Sequence, residues 1–258
     1  MSIEINLDGK VAVVTGAGRG LGRAYAEALG RNGARVCIAE LDWVSGQATA
    51  AVLETIAPDV LFVQTDVGDT AQVQACVDRV LAQFGRVDIL VNNAGNEGRY
   101  VSLEITEQMW QTIFKVNLFS TFICSQFFGR EMIRQGHGGA IINVSSIASL
   151  TTFPGRTGYA AAKAGINLLT KVLAVEWAKY GIRVNAVGPG MTRTERFDES
   201  LGIGLVSEKP LNRRIPLGRI AEPTEIANVV AFLASREASY ITGQIWYADG
   251  GWTARGSL

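Results

Sequence analysis

The stretch VAVVTGAGRGLG at residues 11–22 decides the fold, because a short apolar run passes directly into a glycine-rich turn. Val11–Thr15 predicts a buried strand, and the helical pattern behind the turn continues to Asn32, where Gly33 ends it. A strand, a glycine turn and a helix in this order bring backbone N–H groups and a helix N-terminus close to a bound phosphate group. The stretch therefore predicts the first unit of a nucleotide-binding α/β fold.

The glycines of this turn follow the spacing TGxxxGxG rather than the more familiar GxGxxG. Gly16, Gly20 and Gly22 fit the pattern, whereas Leu21 stands where GxGxxG has its last glycine. A glycine turn alone also suits an ordinary strand-to-helix junction. Glu40 favours nucleotide binding, because it ends the next predicted strand, where dinucleotide folds place the acid that accepts ribose hydroxyl groups.

Short apolar runs alternate with longer segments of helical periodicity along the chain. The predicted strands are Val11–Thr15, Arg35–Glu40, Leu61–Gln64, Asp88–Val91, Ala140–Val144, Arg183–Val187 and Gln244–Tyr247. After the first helix, the predicted helices lie near Ser45–Ile56, Ala71–Phe84, Gln108–Gln135, Gly158–Tyr180 and Thr224–Ser235. This alternation predicts a parallel sheet buried on both faces. We expect a single doubly wound (Rossmann-type) α/β domain over residues 1–258, with a mostly parallel seven-stranded sheet and helices on both faces.

The segment from Pro189 to Leu217 interrupts this alternation, because it is rich in arginine and glycine and lacks clear periodicity. A loop of that length inside a compact domain usually serves function, so we expect a substrate loop or lid near residues 189–217.

Arginines near the expected pocket could bind a carboxylate, phosphate or sulfonate group of a substrate. We assign Arg156 to substrate binding, and the 189–217 segment adds Arg193, Arg196, Arg213 and Arg214. The alternative is that these arginines are solvated loop charges. The carboxylates that would neutralise them are Glu195, Asp198, Glu199 and Glu208.

Composition and charge exclude several classes of function. The 258 residues carry 24 Lys and Arg against 24 Asp and Glu, so a formal net charge of zero gives no attraction to nucleic acid or an anionic membrane. The N-terminal sequence MSIEINLDGK lacks the apolar core of a signal peptide, and no apolar run reaches the roughly 18 residues of a membrane span. We expect a cytoplasmic protein with a small-molecule substrate and no nucleic-acid or membrane partner.

The histidine and cysteine content argues against a metal site. The single histidine, His137, excludes HExxH zinc sites and multi-histidine centres, so we expect proton chemistry without imidazole and a dispensable His137. Cys37, Cys76 and Cys124 are widely spaced and form no CxxC pair. Reduced, buried thiols are expected.

Several motifs, in order along the chain, resemble the short-chain dehydrogenase/reductase family. They are TGAGRGLG at 15–22, Asp66-Val67, NNAG at 92–95, Asn117, Ser145-Ser146, YAAAK at 159–163 and Pro189-Gly190. The resemblance covers essentially the whole chain and implies an oxidoreductase with a nicotinamide cofactor. It also implies that Asp66 and Val67 hold the adenine, that Asn93 lines the cofactor cleft, and that Thr192 and Thr194 bind the nicotinamide carboxamide. The other expected cofactor contacts are Gly16, Arg19, Gly20, Leu21, Gly22, Glu40, Tyr159 and Lys163.

The choice between NAD and NADP depends on two residues with opposite effects. A carboxylate at Glu40 can accept hydrogen bonds from the ribose hydroxyl groups of NAD and would repel a 2′-phosphate. Arg19 favours NADP, since a basic residue in this loop is common among relatives that use NADPH. We favour NAD, because the acid should occupy the place that the phosphate needs.

A tyrosine, a lysine and a serine form the expected catalytic group. Tyr159 and Lys163 are four residues apart on a predicted helix and project from the same face. Ser146 follows the fifth predicted strand, at the edge where open α/β sheets bind ligands, and Ser145 is interpreted as a strand-end hydroxyl that caps the turn.

The chemistry expected of this group is transfer of a proton from an alcohol. A phenol has a pKa of about 10, and a neighbouring ammonium group lowers it, so Tyr159 is the expected general base and Lys163 its activator. Ser146 would donate a hydrogen bond to the substrate oxygen. The resemblance implies that Lys163 also holds the nicotinamide ribose and that Asn117 positions Lys163 in a proton relay.

The expected function is an NAD-dependent oxidoreductase that acts on a secondary alcohol of a sugar, polyol or hydroxy acid. An NADPH-dependent ketoreductase of the 3-oxoacyl type is the alternative. A nucleotide-sensing protein without turnover, or a methyltransferase, would not need the four residues Asn117, Ser146, Tyr159 and Lys163. The resemblance, together with apolar residues on several faces of the helices at 108–135 and 158–180, predicts a homotetramer or homodimer.

Overall fold

Seven parallel strands form one sheet in the computed structural model, which describes residues 4–151 and 153–256. The strands are β1 Val11–Thr15, β2 Arg35–Glu40, β3 Val60–Gln64, β4 Ile89–Asn92, β5 Gly139–Val144, β6 Ile182–Pro189 and β7 Ile245–Ala248. Their order is β3-β2-β1-β4-β5-β6-β7, and every neighbouring pair is parallel. The doubly wound α/β fold predicted from the sequence is confirmed, with an entirely parallel sheet.

Helices cover both faces of this sheet. They are α1 Gly20–Arg31, α2 Trp43–Leu53, α3 Thr70–Phe84, α4 Glu107–Phe114, α5 Ser120–Gln135, α6 Thr157–Trp177, α7 Glu195–Gly202, α8 Glu208–Arg214 and α9 Pro223–Ala234. Residues of α1 and α9 join one buried apolar cluster, and residues of α3, α5 and α6 join the other. Along β1, Ala12 and Val14 face the first cluster, whereas Val11 and Val13 face the second. Burial on both faces explains the near-continuous apolar sequence of the strand.

The functional crevice follows from the strand order. The chain builds β1, β2 and β3 outward in one direction and then returns to place β4 on the other side of β1. Ligands of open α/β sheets bind outside the carboxyl ends of the strands at such a reversal. The glycine loop (residues 15–22) follows β1, and the NNAG turn follows β4 at the same edge.

Two regions differ from the sequence prediction. The single helix expected over Gln108–Gln135 is divided by a π-helical segment, Lys115–Phe119, between α4 and α5. The 189–217 segment, expected without regular structure, contains α7 and α8. Thr194 explains the start of α7, because its side chain accepts a hydrogen bond from the N–H of Phe197 at 3.3 Å and caps the helix.

The length and the apolar character of the helices bear on whether one of them could cross a membrane. Within the described ranges, none combines the length and the apolar sequence that crossing a membrane requires.

Candidate active site

The glycine loop is tightly packed, and two of its positions require glycine. Gly16 has φ = 63°, and a Cβ atom on it would lie 2.8 Å from Cα of Ala94. A Cβ atom on Gly22 would collide with the carbonyl oxygen of Gly16 and the side-chain amide of Asn93. Glycine at these positions therefore allows the loop to lie directly against the turn that follows β4.

Asn93 holds the loop in this position. Its Nδ2 donates hydrogen bonds to the carbonyl oxygens of Thr15, at 2.9 Å, and Gly16, at 2.8 Å. The Thr15 hydroxyl in turn accepts the backbone N–H groups of Asn93 and Ala94, both at 3.0 Å. Asn93, expected from the family resemblance to line the cofactor cleft, thus fixes the start of the glycine loop against the turn that follows β4.

The N-terminus of α1 lies at the carboxyl end of β1 and contacts a carboxylate. The N–H of Gly20 donates to Oε2 of Glu195 at 3.1 Å. The first turn of α1 has no acidic residue of its own, and Arg19 at the N-cap makes no capping hydrogen bond through its side chain. The N–H groups of Leu21 and Gly22 belong to the same first turn, so this terminus is suited to an anion such as a pyrophosphate.

Glu40 ends β2 with its carboxylate against the glycine loop. Oε2 accepts the N–H of Gly18 at 2.9 Å, and Oε1 accepts the N–H of Asp42 at 3.0 Å. Arg19, the adjacent basic residue of the loop, is exposed. The acid predicted from its spacing therefore lies beside the glycine loop, at the end of the neighbouring strand.

Asp66 and Val67 form a turn after β3 at the same edge. Oδ1 of Asp66 accepts the N–H of Gly68 at 2.8 Å, and Val67 is buried. The carboxyl ends of β3, β2, β1 and β4 thus carry, in order, a polar turn, a carboxylate, a helix N-terminus and an asparagine. This order of groups, with the close-packed glycines between them, fits the adenine, ribose and pyrophosphate of a dinucleotide.

Lys163 projects from α6 into the protein beside Tyr159. Its side chain is buried, and Nζ donates to the carbonyl oxygen of Val144 at 2.8 Å. Nζ lies 5.5 Å from the centroid of the Tyr159 ring. Ser146, which follows β5, accepts the N–H of Ala148 at 3.1 Å, and its side chain is close enough to Tyr159 to act on the pKa of the phenol. The serine, tyrosine and lysine predicted from the sequence are therefore brought together.

Burial dominates the electrostatics of these groups. It raises the pKa of Tyr159 to about 12, with a further increase from the negative charge of Glu97, while Ser146, Arg156 and Arg196 act in the opposite direction. Burial also lowers the pKa of Lys163 to about 8, because a buried ammonium loses hydration, and Glu97 partly opposes this. Lys163 is not among the charged groups that act on the Tyr159 pKa, so the lowering of this pKa that is expected from Lys163 stays a prediction.

Asn117 lies in the π-helical segment with its side chain fully buried. Its Nδ2 donates to the carbonyl oxygens of Ile113, at 2.9 Å, and Asn96, at 3.0 Å. A Cβ atom on Gly95 would lie 2.7 Å from Oδ1 of Asn117 and 3.6 Å from Nζ of Lys163, so both groups approach the same glycine. This buried Oδ1 is a polar atom without a hydrogen-bond partner among the described residues.

Ser145 has a structural environment distinct from that of Ser146. Its buried hydroxyl donates to Oδ1 of Asn167 on α6 at 2.6 Å. Asn167 in turn donates through Nδ2 to the hydroxyls of Ser149, at 3.0 Å, and Tyr247, at 2.9 Å. Ser145 therefore joins β5 to α6 and does not cap the turn as expected; the hydroxyl that caps it, by accepting the N–H of Ala148, is that of Ser146.

Arg156 forms an ion pair that sequence reasoning missed. Its Nη1 donates to Oε2 of Glu97 at 2.7 Å and to the carbonyl oxygen of the same residue at 2.8 Å. The guanidinium carbon lies 5.7 Å from the Tyr159 ring centroid. The pair joins residues 59 positions apart, and the only sequence signal for it is that Glu97 closely follows the NNAG turn.

The 189–217 segment contributes threonines and paired arginines. The buried Thr192 hydroxyl donates to the carbonyl oxygen of Gly190 at 3.1 Å. Arg193 forms ion pairs with Asp198, at 3.1 Å, and with Glu208. Arg193 is thus neutralised by nearby carboxylates, which agrees with the alternative that these arginines are loop charges rather than substrate ligands. Two others are exposed, Arg196 and Arg213, and the guanidinium carbon of Arg214 lies 5.1 Å from the ring centroid of Trp252.

The remaining histidine and cysteines lie away from this group. His137 is exposed and precedes the amino end of β5, whereas Ser146 follows the carboxyl end of the same strand. The three cysteines are buried and free. In residues 4–151 and 153–256, no group of three or more His, Cys, Asp or Glu side chains is arranged to hold a metal ion.

Comparison with known proteins gives consistent results over nearly the whole chain. The family described as enoyl-(acyl carrier protein) reductase matches residues 16–253. D-threitol dehydrogenase of Mycolicibacterium smegmatis is 39% identical over 99% of this chain and 97% of its own length. A 3-oxoacyl-(acyl-carrier-protein) reductase of Staphylococcus aureus is 40% identical over 94% and 97% of the two chains. The crystal structure of a short-chain type dehydrogenase/reductase from Mycobacterium marinum superposes with a TM-score of 0.90 at 32% identity and covers 98% of both chains.

Proposed function

Since the chain belongs to the short-chain dehydrogenase/reductase family and is an NAD(P)-dependent oxidoreductase, we propose that it oxidises a secondary alcohol of a sugar, polyol or hydroxy acid, with NAD as its cofactor. The observation that carries the proposal is the convergence of Ser146, Tyr159 and Lys163, with Asn117 and Lys163 approaching the same side of Gly95 in the NNAG turn. The relative named D-threitol dehydrogenase supports a polyol as substrate.

Tyr159 is the general base of the proposed reaction. Its phenolate takes the proton of the substrate hydroxyl group, and the bound nicotinamide supplies the acceptor for the hydride that leaves the carbon. Ser146 donates a hydrogen bond to the same substrate oxygen and stabilises the charge that develops on it. In the reverse direction the Tyr159 phenol returns the proton to the carbonyl oxygen.

Lys163 supplies positive charge next to the base. With a pKa of about 8 it is mostly protonated at neutral pH, so its ammonium group stabilises the Tyr159 phenolate when the proton moves. Asn117 positions this ammonium group: its buried Oδ1 lies near Nζ, and its Nδ2 is fixed by two backbone carbonyls. Lys163 would also hold the ribose of the cofactor, and Thr192 and Thr194 its carboxamide.

The carboxylate of Glu40 supports NAD over NADP. It lies beside the glycine loop, where it can accept the hydrogen bonds of the ribose hydroxyl groups and repel a 2′-phosphate. Arg19 is exposed and free to turn toward solvent or the pyrophosphate.

An NADPH-dependent ketoreductase of the 3-oxoacyl type is the second candidate. The 40% identity to a 3-oxoacyl-(acyl-carrier-protein) reductase and the basic residue Arg19 favour it. Both candidates use the same four residues, so they differ in cofactor and in substrate rather than in chemistry.

The protein is proposed to form a homotetramer or homodimer. Apolar side chains are exposed on α5, on α6 and on the segment before α5, namely Phe119, Phe122, Leu168, Val172 and Val175. A monomer would leave this surface in water, so pairing of these helices between copies supports the assembly.

A panel of polyols, sugars, hydroxy acids and a 3-oxoacyl thioester, each with NAD(H) and NADP(H), tests the proposal. Absorbance of the reduced nicotinamide is expected to rise with a polyol or sugar and NAD. Faster turnover of the thioester with NADPH would favour the ketoreductase instead, and cofactor binding without any turnover would contradict both candidates.

A further inference from the structure

Glu97 lies between the NNAG turn and α4, and two independent contacts fix its position. Arg156, directly before α6, donates to its carbonyl oxygen at 2.8 Å and to its carboxylate at 2.7 Å. Asn117 donates to the carbonyl oxygen of the preceding residue, Asn96, at 3.0 Å. Glu97 is thus held from two sides, by the residue directly before α6 and by the π-helical segment that carries Asn117.

The carboxylate of Glu97 is close to the reacting groups and still accessible. Its charge acts on both Tyr159 and Lys163, and its partner Arg156 lies 5.7 Å from the Tyr159 ring centroid. The side chain is 44% exposed, against 19% for Arg156. One carboxylate oxygen, Oε2, is bound to Arg156, whereas Oε1 accepts no hydrogen bond from the part of the chain that the structure describes. Glu97 therefore has a carboxylate oxygen that can accept a further hydrogen bond, and it is held by an arginine that lies against the Tyr159 ring.

We propose that Glu97 determines substrate specificity: its carboxylate accepts a hydrogen bond from a hydroxyl group on the carbon next to the reacting carbon, so that the site selects neutral vicinal diols. The proposal rests on the proposed function as an alcohol dehydrogenase and adds a substrate class to it. A hydroxyl donor is the natural partner of a carboxylate oxygen, and hydrogen bonds to charged groups are the stronger ones.

The same pair disfavours a substrate carboxylate at that position. Arg156, assigned from the sequence to an anionic substrate, is neutralised by Glu97, and a second carboxylate there would meet like charge. The other cation that acts on Tyr159 from outside the buried group is Arg196 of α7, which is exposed and so more strongly screened by water and salt. The arrangement therefore favours neutral hydroxylated compounds over hydroxy acids.

The test compares Glu97→Gln and Glu97→Ala with the unmodified protein on three matched probes: butane-2,3-diol, butan-2-ol and lactate. The ratio of kcat/KM for the diol to that for butan-2-ol is expected to fall about tenfold in Glu97→Gln and further in Glu97→Ala, since a hydrogen bond to a charged acceptor is lost. The value for lactate relative to butan-2-ol is expected to rise. Glu104→Gln is the matched control, because it removes an exposed carboxylate from the same β4–α4 connection, and it should leave both ratios unchanged.

Calorimetric titration of butane-2,3-diol into each protein loaded with NADH separates the two proposals. If the unmodified protein oxidises none of the probes but binds the diol about tenfold more tightly than Glu97→Gln does, the proposed reaction is wrong and the role of Glu97 stands. Equal ratios and equal diol affinities in the unmodified protein and both Glu97 variants would overturn the specificity proposal. An effect of the same size in Glu104→Gln would overturn it as well.

Discussion

The two sides of the crevice are built by different kinds of interaction. On the cofactor side, the glycine loop is held by backbone hydrogen bonds and by the partly buried amide of Asn93, with glycines that leave no room for a side chain. On the substrate side, the 189–217 segment packs on a small apolar cluster around Ile215, and this segment and the turn at Glu97 are further held by ion pairs at partly exposed side chains, such as Arg193 with Asp198. Exposed ion pairs contribute roughly 0–1 kcal/mol each, so the substrate side should open at a lower cost in free energy than the cofactor side.

This difference suggests a division of labour. A rigid half keeps one cofactor geometry, and a half held by exchangeable charges can admit and release substrates. The two sides can be tested separately by removing the proposed general base and measuring turnover and cofactor binding side by side.

Tyr159→Phe should give the largest effect. Loss of the general base is expected to lower kcat by at least about 10³-fold, while the Kd of NAD, set by the cofactor side, changes little. His137→Gln is the control, since that side chain lies at the opposite edge of the sheet, and it should leave kcat and its pH profile as in the unmodified protein. A Tyr159→Phe protein that retains a tenth of the activity would exclude the proposed base.

Glu40→Ala tests the cofactor side alone. Removing the carboxylate that receives the ribose hydroxyl groups should raise the KM for NAD by about 10- to 100-fold and improve the use of NADP, with kcat on saturating cofactor nearly constant. Glu54→Ala, an exposed carboxylate just after α2, serves as the control. An unchanged ratio of NAD to NADP rates would show that another group decides cofactor choice.

The pH dependence should differ between the two directions of the reaction. Because the Tyr159 pKa is raised to about 12, the fraction of phenolate grows about tenfold per pH unit from neutral pH, and kcat/KM for alcohol oxidation should rise with pH. Carbonyl reduction needs the protonated phenol and should stay flat until Lys163, with its pKa of about 8, loses its charge and the rate falls. Initial rates of oxidation and reduction between about pH 6 and about pH 10 measure the two pH profiles. A rate of oxidation that falls from about pH 6 to about pH 8 would contradict the role of Tyr159 as the base.

Glu195→Gln should have the smallest effect and tests how the two sides meet. The Glu195 carboxylate accepts the N–H of Gly20 at the N-terminus of α1, so it competes with the anion that this terminus would otherwise attract. Loss of its charge is expected to tighten NAD binding about two- to fivefold, measured by fluorescence titration at low salt. Glu199→Gln, an exposed carboxylate on the same helix, is the matched control, and weaker NAD binding in Glu195→Gln would show that the contact supports the cofactor instead.

The cofactor side was predictable from the sequence because its signals are local. The bounds of β1 and β2 agree with the prediction, since each apolar run ends at a glycine or a charged residue, and Glu40 lies beside the loop as its spacing indicates. The serine, tyrosine and lysine could also be placed, because two of them share a helix face and the third ends a strand.

The substrate side was predictable only in part, because its contacts join distant residues. The pair of Glu97 and Arg156 depends on how α6 approaches the β4–α4 connection, which no periodicity reports. The helix α7 is eight residues long; it is capped by Thr194 and packs Phe197 against an apolar cluster whose members, such as Ile215 and Trp252, are distant in sequence. The raised pKa of Tyr159 follows from burial, a property of the folded chain that motif spacing does not contain.

The π-helical segment Lys115–Phe119 has a consequence for how this chain can change in length. Its hydrogen bond from the N–H of Ser120 to the carbonyl oxygen of Lys115 spans five residues, as if one extra residue had been accommodated within a continuous helix. Deleting Val116 would restore the ordinary four-residue repeat and leave the faces of α4 and α5 as they are, but it would shift the residues within the segment, Asn117 included. Asn117 could then no longer face Gly95 while α5 keeps its buried face. The number of residues within 107–135 is therefore constrained. We expect substitutions on the exposed face to be tolerated and a one-residue deletion or insertion not to be.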